Sequence, residues 1–180
     1  MKRRVVSEKE VAALVARLAT AIAGRGRGTR DLVLIGIKRR GVPLARRIAR
    51  AIQGKRRPAV PVGAIDITLY RDDLQLVAET PIVRGSEIDF DINGKRVVLV
   101  DDVIYTGRTV RAALDELVDF GRPRRVLLAV LVDRGGRELP IAPDVVGAQL
   151  EVAEGQQVEV RLVESGAPAD AVIVTERGAA

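Results

Sequence analysis

The chain has 180 residues, enough for one domain with a complete hydrophobic core, and it contains neither Cys nor His. Disulfide bonds, thiolate and imidazole metal sites, cysteine nucleophiles and imidazole general bases are therefore excluded, which leaves acid–base chemistry to Asp, Glu, Lys, Tyr or Arg. The formal net charge is +6, and because no apolar run approaches the ~18 residues of a membrane span, we expect a cytoplasmic protein without a membrane partner.

The first part of the sequence predicts a helix, a strand and a second helix. Ser7 and Glu10 have the spacing of a capping box, and apolar residues follow at helical intervals (Val11, Leu14, Val15, Leu18 and Ile22). The unbroken apolar run at 32–37 predicts a buried strand. We expect a second helix from about Val42, with Pro43 in its first turn, where a missing N–H costs little.

The rest of the sequence predicts more strands and one more helix. A strand is expected at 62–69, and Asn93–Gly94 has the signature of a hairpin turn that leads into the apolar strand at 97–100. A helix with apolar residues at helical spacing begins near Thr109. Shorter strands are expected at 125–132, 145–150, 158–163 and 171–175. The alternation predicts a single α/β domain over residues 1–180, with a mostly parallel sheet flanked by helices and an antiparallel appendage.

Segment 97–109 joins a buried strand to two carboxylates, a short loop and a helix start. The carboxylates, Asp101 and Asp102, follow the strand directly, and ligands of open α/β sheets bind at the carboxyl ends of strands. In loop 106–109, Gly107 lets the backbone approach an anion, and the free N–H groups of the helix start favour a phosphate. Carboxylates repel phosphate but accept hydrogen bonds from hydroxyls. The segment therefore predicts a 5-phosphoribose ligand, with Mg²⁺ nearby to offset the charge.

An apolar strand that ends in two acids also occurs in Walker B motifs and in ordinary turns between a strand and a helix. A Walker B strand needs a loop of the form Gly-x4-Gly-Lys-Ser/Thr, and the sequence contains none, since Gly94-Lys95 is followed by Arg96 and lacks the upstream Gly. Two acids followed by Thr-x-x-Thr form a far more specific pattern than a Gly-rich loop alone, which favours the phosphoribose interpretation.

A basic loop follows the first predicted strand, at the sheet edge where the acids are expected. Lys38, Arg39 and Arg40 stand beside Gly41, and three cations can hold the oxygens of a pyrophosphate leaving group and stabilise its growing charge. The alternative is a solvated basic turn, which is common in Arg-rich chains. The position opposite Asp101 favours the leaving-group interpretation.

The motifs resemble those of a known enzyme fold. Segment 97–109 resembles the binding motif for 5-phosphoribosyl pyrophosphate (PRPP) of type I phosphoribosyltransferases. Further segments resemble the PyrR family of pyrimidine operon regulators and uracil phosphoribosyltransferases, namely a pyrophosphate loop at 35–45, the base of a flexible loop at 66–73, and hood segments at 121–123 and 132–140. The resemblance runs from about Val5 to about Val163. The sequence departs from the family pattern at Arg39, usually Thr, and at Gly136, usually His.

The resemblance implies a type I phosphoribosyltransferase fold with a core at about 5–133, a flexible β-arm at about 68–90 and a hood at about 133–163. It implies transfer of phosphoribose from Mg²⁺–PRPP to uracil, giving UMP and pyrophosphate, and a cis peptide bond near Lys38–Arg39. The catalytic residues that it implies are Asp101, Asp102, Arg39 and Arg40. The residues that it places against PRPP or UMP are Lys38, Arg39, Arg40, Val98, Asp101, Asp102, Val103, Ile104, Tyr105, Thr106, Gly107, Arg108, Thr109, Arg134 and Val158.

The same resemblance implies a second activity, namely UMP- or UTP-responsive binding of a stem-loop in pyrimidine operon mRNA that controls transcription attenuation. Four basic clusters are compatible with RNA binding: Arg25/Arg27/Arg30, Arg46/Arg47/Arg50, Lys55/Arg56/Arg57 and Arg122/Arg124/Arg125. A solvated basic surface is the alternative. Because aromatic residues make up only 2% of the chain, RNA contacts are expected to be mainly to phosphates and sensitive to salt.

Two further expectations concern assembly and substrate. Family members form dimers or tetramers, so we expect a homodimer or a homotetramer. The alternative function on the same scaffold is a purine-base phosphoribosyltransferase of nucleotide salvage that does not bind RNA, and the hood sequence at 133–140 favours the pyrimidine type.

Overall fold

The computed structural model of the chain describes residues 2–25, 28–54, 59–67 and 85–176. Within these ranges the helices are α1 (Glu8–Gly24), α2 (Gly41–Gln53) and α3 (Arg108–Leu117). The strands are β1 (Lys2–Val6), β2 (Leu32–Ile37), β3 (Val62–Ile65), β4 (Arg96–Ile104), β5 (Arg125–Asp133), β6 (Val145–Gln149), β7 (Gln156–Arg161) and β8 (Ala171–Glu176). The predicted arm at 68–90 lies outside the described residues except for 85–90.

The described strands form two sheets. The larger one is parallel throughout, in the order β3-β2-β4-β5-β6, and the smaller one is antiparallel, in the order β1-β8-β7. In the parallel sheet Gly36 of β2 lies beside Val100 of β4, and Asp101 lies beside Val130 of β5. The carboxyl ends of β2 and β4 are therefore adjacent, as the sequence predicts, and the mostly parallel sheet with an antiparallel appendage is confirmed.

Apolar side chains on both faces of the parallel sheet fill two cores. In β4, Val98 and Val100 belong to the core that includes the buried stripes of α1 and α2, whereas Val97 and Leu99 belong to the core on the side of α3. This two-sided burial explains the continuous apolar runs, because strands of a sheet covered on both faces have no solvent-facing side. The start of α1 is fixed by the predicted capping box, in which the Ser7 N–H donates to Glu10 Oε2 at 2.7 Å.

An ion-pair network joins α2 to the segment before β8. The Arg47 guanidinium bonds both Asp170 and Glu164, with 2.8 Å from Nε to Glu164 Oε1 and 3.0 Å from Nη2 to Asp170 Oδ1. These bonds hold the pKa of Asp170 and of Glu164 below their ordinary values. Asp170 is buried and also accepts from the Val163 N–H at 3.0 Å. The network therefore fixes the small sheet against the helix that follows the basic loop.

Several local features differ from the expectations, including the strand expected at 158–163, which is found at Gln156–Arg161. The strand expected at 62–69 ends at Ile65, because the Asp66 N–H donates to Ser86 Oγ at 2.8 Å instead of continuing a strand ladder. The turn at Asn93 and Gly94 forms, but the residues described before it make no hairpin with β4, which pairs only with parallel neighbours. Strand β1 was not predicted from its basic sequence, and it forms because the edge of β8 pairs with it.

Candidate active site

Two acidic side chains with different environments lie near the end of β4. Asp101 is buried, whereas the side chain of Asp102 keeps 18% of its surface exposed. The Asp102 N–H donates to Asp101 Oδ1 at 2.8 Å, which fixes the inner carboxyl group. Burial raises the pKa of Asp101 well above its ordinary value, and the neighbouring Asp102 carboxylate raises it further. The pair therefore presents a buried inner carboxyl group and a partly exposed outer one.

The basic loop reaches the acidic pair through Arg40. Its Nη1 lies 3.6 Å from Asp102 Oδ2, so a cation and a carboxylate occupy adjacent places. Gly41 sets this approach, because a Cβ atom at Gly41 would lie 2.2 Å from the Val100 carbonyl oxygen and 3.4 Å from Asp101 Cα. The predicted juxtaposition of the basic loop with the acids is thus present, and it depends on the absence of a side chain at the start of α2.

The other two cations of the loop point away from the acids. Lys38 donates to the Gly85 carbonyl and pairs with Glu87 at 3.0 Å, and the Lys38–Arg39 peptide bond is cis, as expected. Arg39 is exposed and lines a cavity of about 540 Å³ together with Arg46 and Arg50 of α2. The three predicted cations therefore do not converge on one point. Only Arg40 contacts the acidic pair.

The loop between β4 and α3 turns into the helix through a glycine, as the sequence predicts. Gly107 has φ of +94°, a left-handed conformation that favours glycine, and α3 begins at the next residue. The Arg108 N–H donates to Thr106 Oγ1 at 3.3 Å. Glu138, from a distant loop, makes two contacts here that were not predicted. Arg108 Nε donates to Glu138 Oε2 at 2.7 Å, and this ion pair neutralises the charge of Arg108. The Glu138 N–H donates to the Thr106 carbonyl at 3.0 Å. No sequence spacing links Glu138 to Arg108, so pattern analysis had no signal for it.

Of the remaining predicted residues, some line a second cavity and others are buried under the site. Tyr105 stacks on Arg134, whose Cζ lies 4.0 Å from the ring centroid, and both line a second cavity of about 550 Å³. Val158 of β7 follows the lining residue Gln157 and packs against the core. Val98 and Ile104 are fully or almost fully buried, and Val103 is partly buried. Their side chains thus shape the strand under the site, while Thr109 lies in the first turn of α3.

The residues of the site fit a magnesium ion that arrives bound to the substrate better than a metal site made only of protein ligands. Among residues 2–25, 28–54, 59–67 and 85–176, no group of three or more acidic side chains could hold a metal ion. Mg²⁺ characteristically uses one or two carboxylates together with substrate phosphates and water. The half-buried Asp102 beside the basic loop meets that requirement. In the same part of the chain, no helix is long and apolar enough to span a membrane.

Comparison with known proteins agrees with this geometry. The model of the phosphoribosyl transferase domain family matches residues 4–163. The bifunctional protein PyrR of Roseiflexus sp. (strain RS-1) is 50% identical over 173 residues, which cover 96% of this chain and 94% of the relative. The bifunctional protein PyrR of Acetivibrio thermocellus is 53% identical over 163 residues, covering 91% and 89%.

A solved structure extends the comparison to three dimensions. The hypoxanthine phosphoribosyltransferase of Trypanosoma cruzi has a TM-score of 0.70 over 97% of this chain and 96% of its own, at 20% sequence identity, a likeness that concerns the fold. The parallel sheet therefore corresponds to the sheet of the phosphoribosyltransferases. The PyrR proteins share about one residue in two with this chain. Taken with the domain match over residues 4–163, these relatives show that the chain belongs to the PyrR family of the phosphoribosyl transferase domain proteins.

Proposed function

We propose that the protein transfers the phosphoribosyl group of PRPP to uracil, giving UMP and pyrophosphate, and that it binds pyrimidine operon mRNA as a UMP- or UTP-responsive regulator. The observation that carries the enzymatic proposal is the approach of Arg40 to Asp102, at 3.6 Å, beside a glycine-containing loop at the start of α3. A cation for the leaving group and a carboxylate for ribose hydroxyls are then adjacent, and the phosphate loop follows the carboxylate in sequence. Membership of the PyrR family supports the same reaction.

In this proposal each part of the site has one task. Loop 106–109 holds the 5-phosphate with its backbone N–H groups, and Asp101 and Asp102 accept hydrogen bonds from the ribose hydroxyls. Arg40, which lies beside the acidic pair, receives the pyrophosphate, whose negative charge grows as the C1′–O bond breaks. Lys38 and Arg39 have to turn from the positions described above to reach the same group. When bound with PRPP, Mg²⁺ neutralises phosphate charge near Asp102. Uracil N1 forms the new bond to C1′ and loses its proton, while Tyr105, Arg134 and Val158 border the base.

Nucleotide formation with single bases tests the enzymatic proposal. We expect Mg²⁺–PRPP with uracil to give UMP and pyrophosphate, and we expect no nucleotide with hypoxanthine, guanine or orotate. The products are measured by chromatography of the nucleotides and by a pyrophosphate assay. A purine nucleotide instead of UMP would establish the alternative, a purine-base enzyme on the same scaffold. Absence of any nucleotide would refute the enzymatic proposal.

A basic groove along α2 supports the RNA-binding proposal. The exposed Arg46 and Arg50 lie one helical turn apart and line the 540 Å³ cavity with Arg39. Within the described part of the chain, none of these three guanidinium groups pairs with a carboxylate. Arginines without a carboxylate partner among the described residues match a phosphodiester backbone better than ion-paired ones do. We therefore propose this groove as the part of the surface that contacts mRNA phosphates.

Salt dependence of RNA binding tests the groove. We expect the double variant Arg46→Gln/Arg50→Gln to bind the leader stem-loop of the pyrimidine operon more weakly and to reduce the salt slope of log K by about 0.7–0.9 per lost phosphate contact. Binding is measured by fluorescence anisotropy with UMP present. The matched control is Arg122→Gln/Arg124→Gln, two exposed arginines at the opposite, amino end of the parallel strands. Equal salt slopes for the two double variants would contradict the assignment of this groove.

A further inference from the structure

Lys38 is the first cation of the basic loop, and its side chain is held by a neighbouring segment. Its Nζ donates to the Gly85 carbonyl and forms an ion pair with Glu87 Oε1 at 3.0 Å. The Lys38 side chain keeps 29% of its surface exposed, and the Glu87 side chain keeps 67%. An ion pair in contact with water contributes little to folding stability. The pair is therefore better explained by its place beside the active site than by the stability of the fold.

Strand β3 fixes the backbone of both partners of this ion pair. The Lys38 N–H donates to the Ile65 carbonyl at 2.9 Å. Glu87 and Ala64 exchange two backbone hydrogen bonds, each 2.8 Å long. Because these bonds hold the two backbone segments in place, the ion pair opens by rotation of its side chains.

Rotation of the Lys38 side chain is enough to offer its charge to another anion. A lysine carries a compact charge on a flexible four-carbon stem, with three donors that can rotate. Arg40, two residues further along the same loop, lies 3.6 Å from Asp102. A pyrophosphate group held by Arg40 is therefore close to the loop that carries Lys38. Its several negative charges attract an ammonium group more strongly than a single carboxylate does.

Two glutamates that line the cavity of about 540 Å³ beside the basic loop differ in their partners. Glu164 accepts from Arg47 Nε at 2.8 Å, which commits it to the ion-pair network of α2. Glu87 instead pairs with Lys38 of the basic loop itself. Glu87 is therefore better placed than Glu164 to compete with an incoming anion for the lysine.

We propose that Glu87 is a positioning residue for pyrophosphate: it competes with the pyrophosphate of PRPP for Lys38 and takes the cation back as the product leaves. The inference rests on the proposed phosphoribosyl transfer and adds a residue to it. A protein group that occupies a binding cation lowers the apparent affinity of the ligand by the fraction of time for which the cation is occupied. Glu87 therefore weakens the binding of pyrophosphate and favours its release.

Removal of the Glu87 charge is expected to tighten the binding of pyrophosphate. Gln has nearly the size of Glu, so Glu87→Gln keeps the backbone bonds to Ala64 and weakens the hold on Lys38. We expect Mg²⁺–pyrophosphate to bind about two- to fivefold more tightly, the range that corresponds to one exposed ion pair. The affinity for UMP, which has no pyrophosphate, is expected to stay unchanged. Isothermal titration calorimetry measures both affinities. Damage to the fold weakens binding, so it does not explain an increase.

Two further variants separate competition for Lys38 from a general effect of charge. Asp89 is exposed and lies two residues after Glu87, so Asp89→Asn removes the same charge from the same segment. We expect it to leave the pyrophosphate affinity unchanged. Lys38→Met is expected to weaken pyrophosphate binding, and Glu87→Gln is expected to have no further effect in that background. The wild type, the two single variants and their combination form a double-mutant cycle that measures the coupling between Glu87 and Lys38.

The outcomes separate this inference from the proposed activity. Unchanged or weaker pyrophosphate binding in Glu87→Gln would overturn it. An equal gain in Asp89→Asn, or a gain that persists together with Lys38→Met, would also overturn it, and so would a wild-type protein that binds no pyrophosphate. Failure of the wild-type protein to form UMP refutes the activity, and the binding comparison still decides whether Glu87 competes for Lys38.

Discussion

Replacing both Asp101 and Asp102 by Asn is expected to reduce UMP formation by about 10³-fold or more, the scale of removing preorganised electrostatic groups from an active site. Asn keeps the size of Asp but loses the charge and one acceptor oxygen, so the ribose hydroxyls lose acceptors and the charge balance beside Arg40 is lost. Since the isosteric change creates no cavity, the midpoint of thermal unfolding is expected to stay within a few degrees. Initial rates and calorimetry measure the two quantities.

The two single variants are expected to differ, because the two carboxyl groups have different environments. Burial raises the pKa of Asp101, so its surroundings disfavour the negative charge that Asn lacks, and the substitution is expected to cost less at this position. Asp102 is partly exposed, with Arg40 3.6 Å away, and its substitution removes the carboxylate of this ion pair. We therefore expect Asp102→Asn to account for most of the loss. A double variant with wild-type rates would refute the assignment of the site, and a larger loss in Asp101→Asn would refute the division of roles.

Those features of the site that depend on neighbouring residues in sequence were predictable. The apolar run, the acids, the glycine and the helix start of segment 97–109 are consecutive, and each local preference agrees with the next. Gly107 adopts a positive φ, a backbone conformation that favours glycine. The position of the acids beside the basic loop was also predictable, because carboxyl ends of parallel strands meet at one edge of a sheet.

Features that depend on distant partners were not predictable. Glu138 reaches Arg108 from another loop, and Lys38 turns towards Gly85 and Glu87 instead of the acids. No periodicity encodes such pairs. The basic sequence of β1 is not typical of a strand, yet β8 offers it an edge to pair with. The turn at Asn93 also depends on a distant partner. The Asn93 side chain accepts a hydrogen bond from the Arg122 N–H at 2.7 Å, so the turn connects two loops and does not close a hairpin.

Gly41→Ala is expected to impair folding stability and catalysis together, because one added methyl group would have to displace the end of β4. The new Cβ would meet the Val100 carbonyl oxygen at 2.2 Å, and backbone atoms of a central strand cannot rotate away. Overpacking of this kind costs about 1–3 kcal/mol, which corresponds to a decrease of roughly 3–10 °C in the unfolding midpoint for a chain of this size. The matched control is Gly24→Ala, where the added Cβ enters open space at the end of α1.

Gly41→Ala is expected to affect catalysis because Gly41 lies between the basic loop and the acidic pair. It stands between the loop that carries Arg40 and the backbone that carries Asp101, so a displacement of about 1 Å moves Arg40 relative to the two carboxyl groups. If the site works as proposed, such a misplacement costs about 10²-fold in rate. We expect kcat/KM for PRPP to fall by about that factor, whereas UMP, which has no pyrophosphate, should bind with nearly unchanged affinity. An equal decrease in UMP affinity and in kcat/KM would show that the substitution damages the whole site. It would contradict the idea that close packing at Gly41 aligns the basic loop with the acidic pair.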